Sequence, residues 1–267
     1  MTALHAIILG VIQGLSEFIP ISSSAHLILI PGLLHWPDSG LLFDVALHFG
    51  TLIALVVYFW KDWRDMLVNQ FSADAEKPKL LWPIILACIP GAIFGAKLGE
   101  KVEESFRMHP SRIAVLMAVM GVVLFIADRA GKKERPIEKM TPKDWITVGL
   151  AQCLAILPGV SRSGITMTAG LFTGLKRDAS ARFSFLLSMP IILGSAIFEG
   201  RHLLHGLPPG EAHVTASALI IGIVTSGIVG YLVIGFLMNY LKKRSLDIFV
   251  AYRIIFAALV LLMLHHH

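Results

Sequence analysis

Six stretches of this chain, near 42 to 60, 80 to 98, 111 to 128, 181 to 199, 214 to 240 and 248 to 264, run for about twenty residues with very few charges. An α-helix of that length crosses the hydrocarbon core of a bilayer. Backbone in lipid must satisfy its own hydrogen bonds, so such runs leave room for little besides a helical membrane protein. Composition agrees: mean hydropathy is +0.73, with 55% apolar and 15% charged residues over 267 positions. A cleavable leader is not expected, because MTALHAIILGVIQG has no Lys or Arg ahead of its apolar run and no small-residue cleavage site. His265, His266 and His267 have the look of a tag remnant, which leaves one polytopic domain over 1–264.

Two further apolar regions, 2 to 34 and 144 to 175, are each long enough for two segments but are interrupted by Pro20 and by Pro158-Gly159. Irregular backbone at membrane depth survives only where protein or a water-filled cavity covers it, so each region is expected to dip in and return as a re-entrant helical hairpin. The Lys and Arg distribution supports this. Connections 61–79, 129–143, 176–182 and 242–244 carry sixteen, whereas 1–41, 97–112 and 200–213 carry five. The rich set is expected on the cytoplasmic side, with both termini outside. The basic pI near 9.3 thus reports orientation and not nucleic-acid binding. A shift of 139 residues places Gln13 on Gln152 and Ser22-Ser23-Ser24 on Ser161-Arg162-Ser163. The expected fold is therefore all-α and integral to the membrane: six transmembrane helices plus two re-entrant hairpins. Its halves, about 1–130 and 140–264, form an inverted repeat whose ligand site lies where the hairpin tips meet.

The charges inside the hairpins locate that site further. Glu17 is the only formally charged side chain from residue 1 to 37, and Arg162 the only one between Asp144 and Lys176. Each costs about 2.5–3.5 kcal/mol if it faces lipid at the bilayer centre, so each belongs in a protein-lined polar cavity. A buried ion bridge with no further purpose is one reading. The other starts from PGVSRSGIT (158 to 166): Ser161 and Ser163 suit a helix cap, the free N–H groups of that helix start attract anions, and a guanidinium there is unfavourable until an anion arrives. The fork of Arg162 suits phosphate oxygens, with Thr166 one turn on as a further donor. The opposite tip offers Ser22, Ser23 and Ser24, then His26, which exchanges protons near neutral pH.

QGLSEFIPISSSAH (13 to 26) and PGVSRSGIT together resemble the two signature motifs of the bacterial undecaprenyl-diphosphate phosphatase family, which is linked to bacitracin resistance. The similarity extends through FDVALHFGTLIALVVYF (43 to 59) and RFSFLLSMPIILGSAIFEG (182 to 200). Gln13 takes the glutamine alternative at its motif position, and Ser24-Ala25 stands where Thr-Gly is common. The resemblance implies a phosphatase of the bacterial cytoplasmic (inner) membrane. Its substrate would be a polyprenyl diphosphate lipid, reduced to the monophosphate carrier of cell-wall synthesis. It also implies a divalent cation, Mg2+ or Ca2+, which Glu17 and Gln13, i and i+4 on one helix face, would hold against the diphosphate. Two routes stay open: a seryl phosphate on Ser23 with His26 as base, or a water activated by Glu17 or His26. A homodimer is also left open.

Other residues take plainer readings. His48 and Glu199 sit near span ends, where a packing or interfacial role is the default. Glu103-Glu104 and the run Lys132-Lys133-Glu134-Arg135 are read as solvated loop charges. Gly222, Gly227, Gly230 and Gly235 are expected to let helices pack closely. Cys88 and Cys153 have neither metal-ligand spacing nor a reason to pair. The rival functions are a transporter of the phosphorylated lipid through the same site and a pore or scaffold; neither needs the acid–base groups His26 and Ser23.

Overall fold

All six long apolar runs are helical in the computed structural model, which describes residues 1–36, 39–72, 79–204 and 214–265. They are α3 (Gly40–Tyr58), α5 (Leu81–Arg107), α6 (Pro110–Ala130), α9 (Arg177–Leu204), α10 (Ala216–Tyr240) and α11 (Asp247–His265). Each is long and apolar enough to cross a membrane. Their outward sides carry bare aliphatic and aromatic groups, such as Ile85, Ile89, Ile93 and Phe94 on α5 and Ile220, Val224, Ile228 and Leu232 on α10. Water would reject such faces and lipid accepts them. The chain is a multi-pass membrane protein.

Both interrupted regions break where the sequence expects. The first gives α1 (Ala3–Phe18) and α2 (Ser23–Leu33), and the second gives α7 (Pro142–Ala151), a 3-10 turn over Gln152–Ile156 and α8 (Arg162–Phe172). Pro20 forces the residue before it out of the helical region, and Ile19 has ψ 136°. At the second break Gly159 takes φ +99° and lies so close to α6 that a Cβ would come 2.6 Å from the Ile113 carbonyl oxygen.

Small residues on α10 set how closely α1 and α3 approach it. Gly222 meets Phe43 and Leu47, Gly227 meets Gly50, and Gly230 meets Phe18, as the close-packing expectation requires. Ser226 locks the contact by donating to the Leu47 carbonyl at 2.9 Å. Phe18 at the end of α1 stands edge-on to Phe185 of α9 with ring centroids 5.5 Å apart.

The charged connections differ from expectation. The 61–79 connection contains a helix, α4 (Trp60–Gln70), and Glu103 and Glu104 lie in the last turns of α5, where Glu103 accepts from Arg107. Arg135 is no free solvated charge. Its guanidinium grips buried Asp144 at 2.7 and 2.6 Å and also bonds the Thr173 carbonyl, tying the start of α7 to the end of α8. Burial acts to raise the Asp144 pKa, but the Arg135 bond and those from Thr141 outweigh it and hold the carboxyl down to about 2. The Glu199 side chain, Asp38, His266 and His267 lie outside the described residues.

Candidate active site

The two tips are built alike. Ser22 caps α2 and Ser161 caps α8, and both hold an unusual backbone for a non-glycine residue, φ 79°, ψ 98° and φ 74°, ψ 115°. Strain of that kind costs about 1–3 kcal/mol and persists where the surroundings enforce it. Each cap accepts from the amide three residues on, Ala25 at 3.4 Å and Gly164 at 3.1 Å, and each meets the hydroxyl of the serine two residues on, Ser24 or Ser163, at 3.2 Å. The tips also touch. The Gly159 N–H donates to Ser22 Oγ at 3.2 Å, and Ser163 Oγ donates to the Ile19 carbonyl at 3.4 Å. Ala25 lies in the first turn of α2, so its position needs no glycine.

Because the caps are equivalent, Ser23 and Arg162 occupy the same place, the first residue of their helices. Both reach Glu17 at the end of α1. Ser23 Oγ donates to Glu17 Oε2 at 2.7 Å, and the Arg162 guanidinium bonds Glu17 Oε1 across 145 residues of chain. Gln13, one turn back on α1, adds its amide N–H to Oε2 at 3.1 Å. Glu17 is 5% exposed, and its carboxylate is enclosed by these partners. One buried carboxylate thus joins a hydroxyl from one tip to a guanidinium from the other.

Other expected residues are placed differently. His26 is not bonded to Ser23; its ring reaches the Ser22 carbonyl and the Tyr252 hydroxyl, each at 2.7 Å, and stacks on Phe256. Nδ1 must donate to the carbonyl and Nε2 meets the Tyr252 hydroxyl, so the ring is occupied at both ends. The Thr166 hydroxyl bonds the Arg162 carbonyl and the Ser184 hydroxyl, both at 2.7 Å, so it braces the first turn of α8. Sequence reasoning gave His48 a packing role, yet its Nε2 lies 3.7 Å from Glu17 Oε2 while its Nδ1 meets the Asp44 carbonyl. Arg253, a lone charge in the run 248 to 264, was passed over altogether. The signal in both cases was an ionisable residue inside an apolar span.

Among the described residues, Gln13 Oε1 and Arg162 Nε are two buried polar atoms at the site with no partner. They bear on the implied cation. Among the described residues no group of three or more His, Cys, Asp and Glu side chains is placed to hold a metal. A hard divalent ion needs only one or two side-chain oxygens when phosphates and water supply the rest, and Glu17 with the free Gln13 oxygen meets that requirement.

A family model described as bacitracin resistance protein BacA matches residues 6–259. Among curated proteins, an undecaprenyl-diphosphatase from Moorella thermoacetica is 50% identical over 261 residues, 97% of either chain. One from Geobacter metallireducens is 48% identical over 268 residues, 98% of either chain. One from Trichlorobacter lovleyi is 50% identical over 260 residues, 95% of this chain and 94% of its own.

Proposed function

The chain belongs to the family of bacitracin resistance protein BacA, and from that premise we infer that it is an undecaprenyl-diphosphatase. It hydrolyses undecaprenyl diphosphate to undecaprenyl phosphate and inorganic phosphate, returning the lipid carrier to cell-wall synthesis. We place the reaction at Glu17, Ser23 and Arg162. The observation that carries this is the Glu17 carboxylate, shared by the Ser23 hydroxyl and the Arg162 guanidinium at the junction of the two tips.

The arriving terminal phosphate takes the fork of Arg162, while N–H groups at the starts of α2 and α8 face its remaining charge. Ser23 Oγ already points its proton at Glu17, so the carboxylate takes it as Oγ attacks the terminal phosphorus. The bond from that phosphorus to the bridging oxygen breaks, and undecaprenyl phosphate leaves with the electron pair. A water then attacks the seryl phosphate, the proton on Glu17 returns to Ser23 Oγ, and inorganic phosphate departs. Ser22, Ser24, Ser161 and Ser163 hold the tips in shape and offer hydroxyls to phosphate oxygens. A Mg2+ or Ca2+ ion, held by Glu17 and Gln13, would supply charge neutralisation at the diphosphate. His26, bonded at both ring nitrogens, keeps the α2 start in place.

Two features of architecture complete the reading. Regions 2–34 and 144–175 are re-entrant hairpins in an inverted repeat, supported by the matched caps at Ser22 and Ser161. The chain sits in the bacterial inner membrane with Lys- and Arg-rich connections cytoplasmic and both termini outside, supported by the sixteen-to-five charge imbalance. The polyprenyl tail enters sideways from lipid. The deciding experiment is phosphate release from a polyprenyl diphosphate by purified protein in detergent, where there is no membrane to cross. Turnover is expected; folded protein that releases no phosphate would overturn the reading.

A further inference from the structure

We propose that Arg253 of α11 is a positioning residue for this reaction, clamping the two tips together through their backbone carbonyls; the proposal rests on the site reading above. Arg253 is fully buried. Its NH1 donates to the Pro20 carbonyl of the first tip at 2.8 Å. Its NH2 donates to the Gly159 and Val160 carbonyls of the second tip at 2.7 and 3.2 Å. Its Nε donates to the Met117 carbonyl of α6 at 2.9 Å. One planar guanidinium therefore ties together three parts of the chain that are otherwise far apart in sequence.

The partners make the clamp specific. Every one of these bonds goes to a backbone carbonyl, so the charge does not answer a carboxylate; three of the four are tip carbonyls, of Pro20, Gly159 and Val160, that lie outside regular helix hydrogen bonding, and the fourth is Met117 within α6. A lysine has the charge but not the fork, and cannot serve three directions from one plane. Room for the group is made by two glycines. A Cβ on Gly121 of α6 would lie 3.3 Å from Arg253 Cβ, and one on Gly164 of α8 would lie 3.3 Å from NH1. The neighbouring Tyr252 holds His26, so α11 braces the first tip twice.

The consequence is catalytic. Pro20 and Gly159 lie three residues before Ser23 and Arg162, so the clamp sets the distance between the attacking hydroxyl and the phosphate-binding fork. A misplacement of about 1 Å costs about a hundredfold in rate. Arg253 bonds only backbone carbonyls of α6 and the tips, so the clamp is expected to act on kcat more than on KM.

The test is steady-state kinetics on purified wild type, Arg253→Lys, Gly121→Ala and Glu17→Gln in detergent, with thermal unfolding measured on each. Arg253→Lys is expected to keep a cooperative unfolding transition, to lose about a hundredfold in kcat and to keep KM within about threefold. A folded Arg253→Lys with kcat within about threefold of wild type, whatever its unfolding temperature, overturns the proposal. If Arg253→Lys does not fold, Gly121→Ala decides, since its new methyl pushes on the Arg253 stem from α6 without touching either tip. A kcat loss of more than about threefold in that variant supports the clamp, and an unchanged kcat overturns it. An active Glu17→Gln would instead sink the site reading itself, and the clamp with it.

Discussion

Replacing Glu17 by glutamine keeps the shape of the side chain and removes its charge, and the structure says what each loss should do. The carboxylate accepts from Ser23 at 2.7 Å, from Gln13 at 3.1 Å and from Arg162. A glutamine has one acceptor oxygen for these three donors, and its own N–H groups must face one of them. Loss of the proton acceptor is expected to lower kcat by about 10²–10⁴, or about 3–5 kcal/mol of barrier. Stability suffers separately, since a broken buried pair costs about 3–5 kcal/mol, with the lower end expected because the Arg162 side chain keeps 17% exposure. A double variant, Glu17→Gln with Arg162→Met, separates the two effects. It removes the stranded charge, so most of the lost unfolding temperature should return, while phosphate release from polyprenyl diphosphate stays abolished. Near-wild-type turnover in the double variant would mean that the pair is only a structural bridge, and the mechanism above would be wrong.

Further expectations concern neighbouring parts of the molecule. Ser23→Ala should abolish turnover, and quenching wild type with labelled substrate should leave phosphate on a peptide containing residues 22 to 26; an active alanine variant with no labelled peptide points to an activated water. Gly50→Ala should destabilise by about 3 kcal/mol, because its Cβ would meet Ser226 Oγ at 2.1 Å and the Ile223 carbonyl at 2.3 Å, whereas Gly32→Ala, with nothing within 4 Å, should not destabilise. Asp144 is held down to about 2, below its unfolded value near 4. Its contribution is thus complete above about pH 4 and lost as pH falls toward 2, and Asp144→Asn should flatten that limb of the unfolding profile. Cysteines at Asp38 and Lys133, in a background without Cys88 and Cys153, should react with an impermeant thiol reagent from opposite sides, Asp38 from outside; labelling from one side refutes the orientation.

The helices were legible in the sequence because their causes are local. Twenty apolar residues demand a span whatever surrounds them, and Pro20 and Pro158-Gly159 break helices through their own backbone chemistry. The presence of an acid and a base at the two breaks was equally plain, since a charge in an apolar run must be covered by protein. Partnership was legible only in part. The Glu17–Arg162 bridge across 145 positions was one of two readings open from the sequence, whereas Ser23 on Glu17, His26 on Tyr252 and Arg253 on Pro20 across 233 positions were not. Such contacts depend on how closely α1 and α3 approach α10 through Gly14, Gly50 and Ser226, which no local pattern encodes. The same packing turned His26 away from Ser23 toward Tyr252 and brought His48 up to Glu17. Residue type therefore determined which chemistry was on offer, while helix packing decided which groups share a hydrogen bond, because bond geometry is set to tenths of an ångström by neighbours distant in the chain.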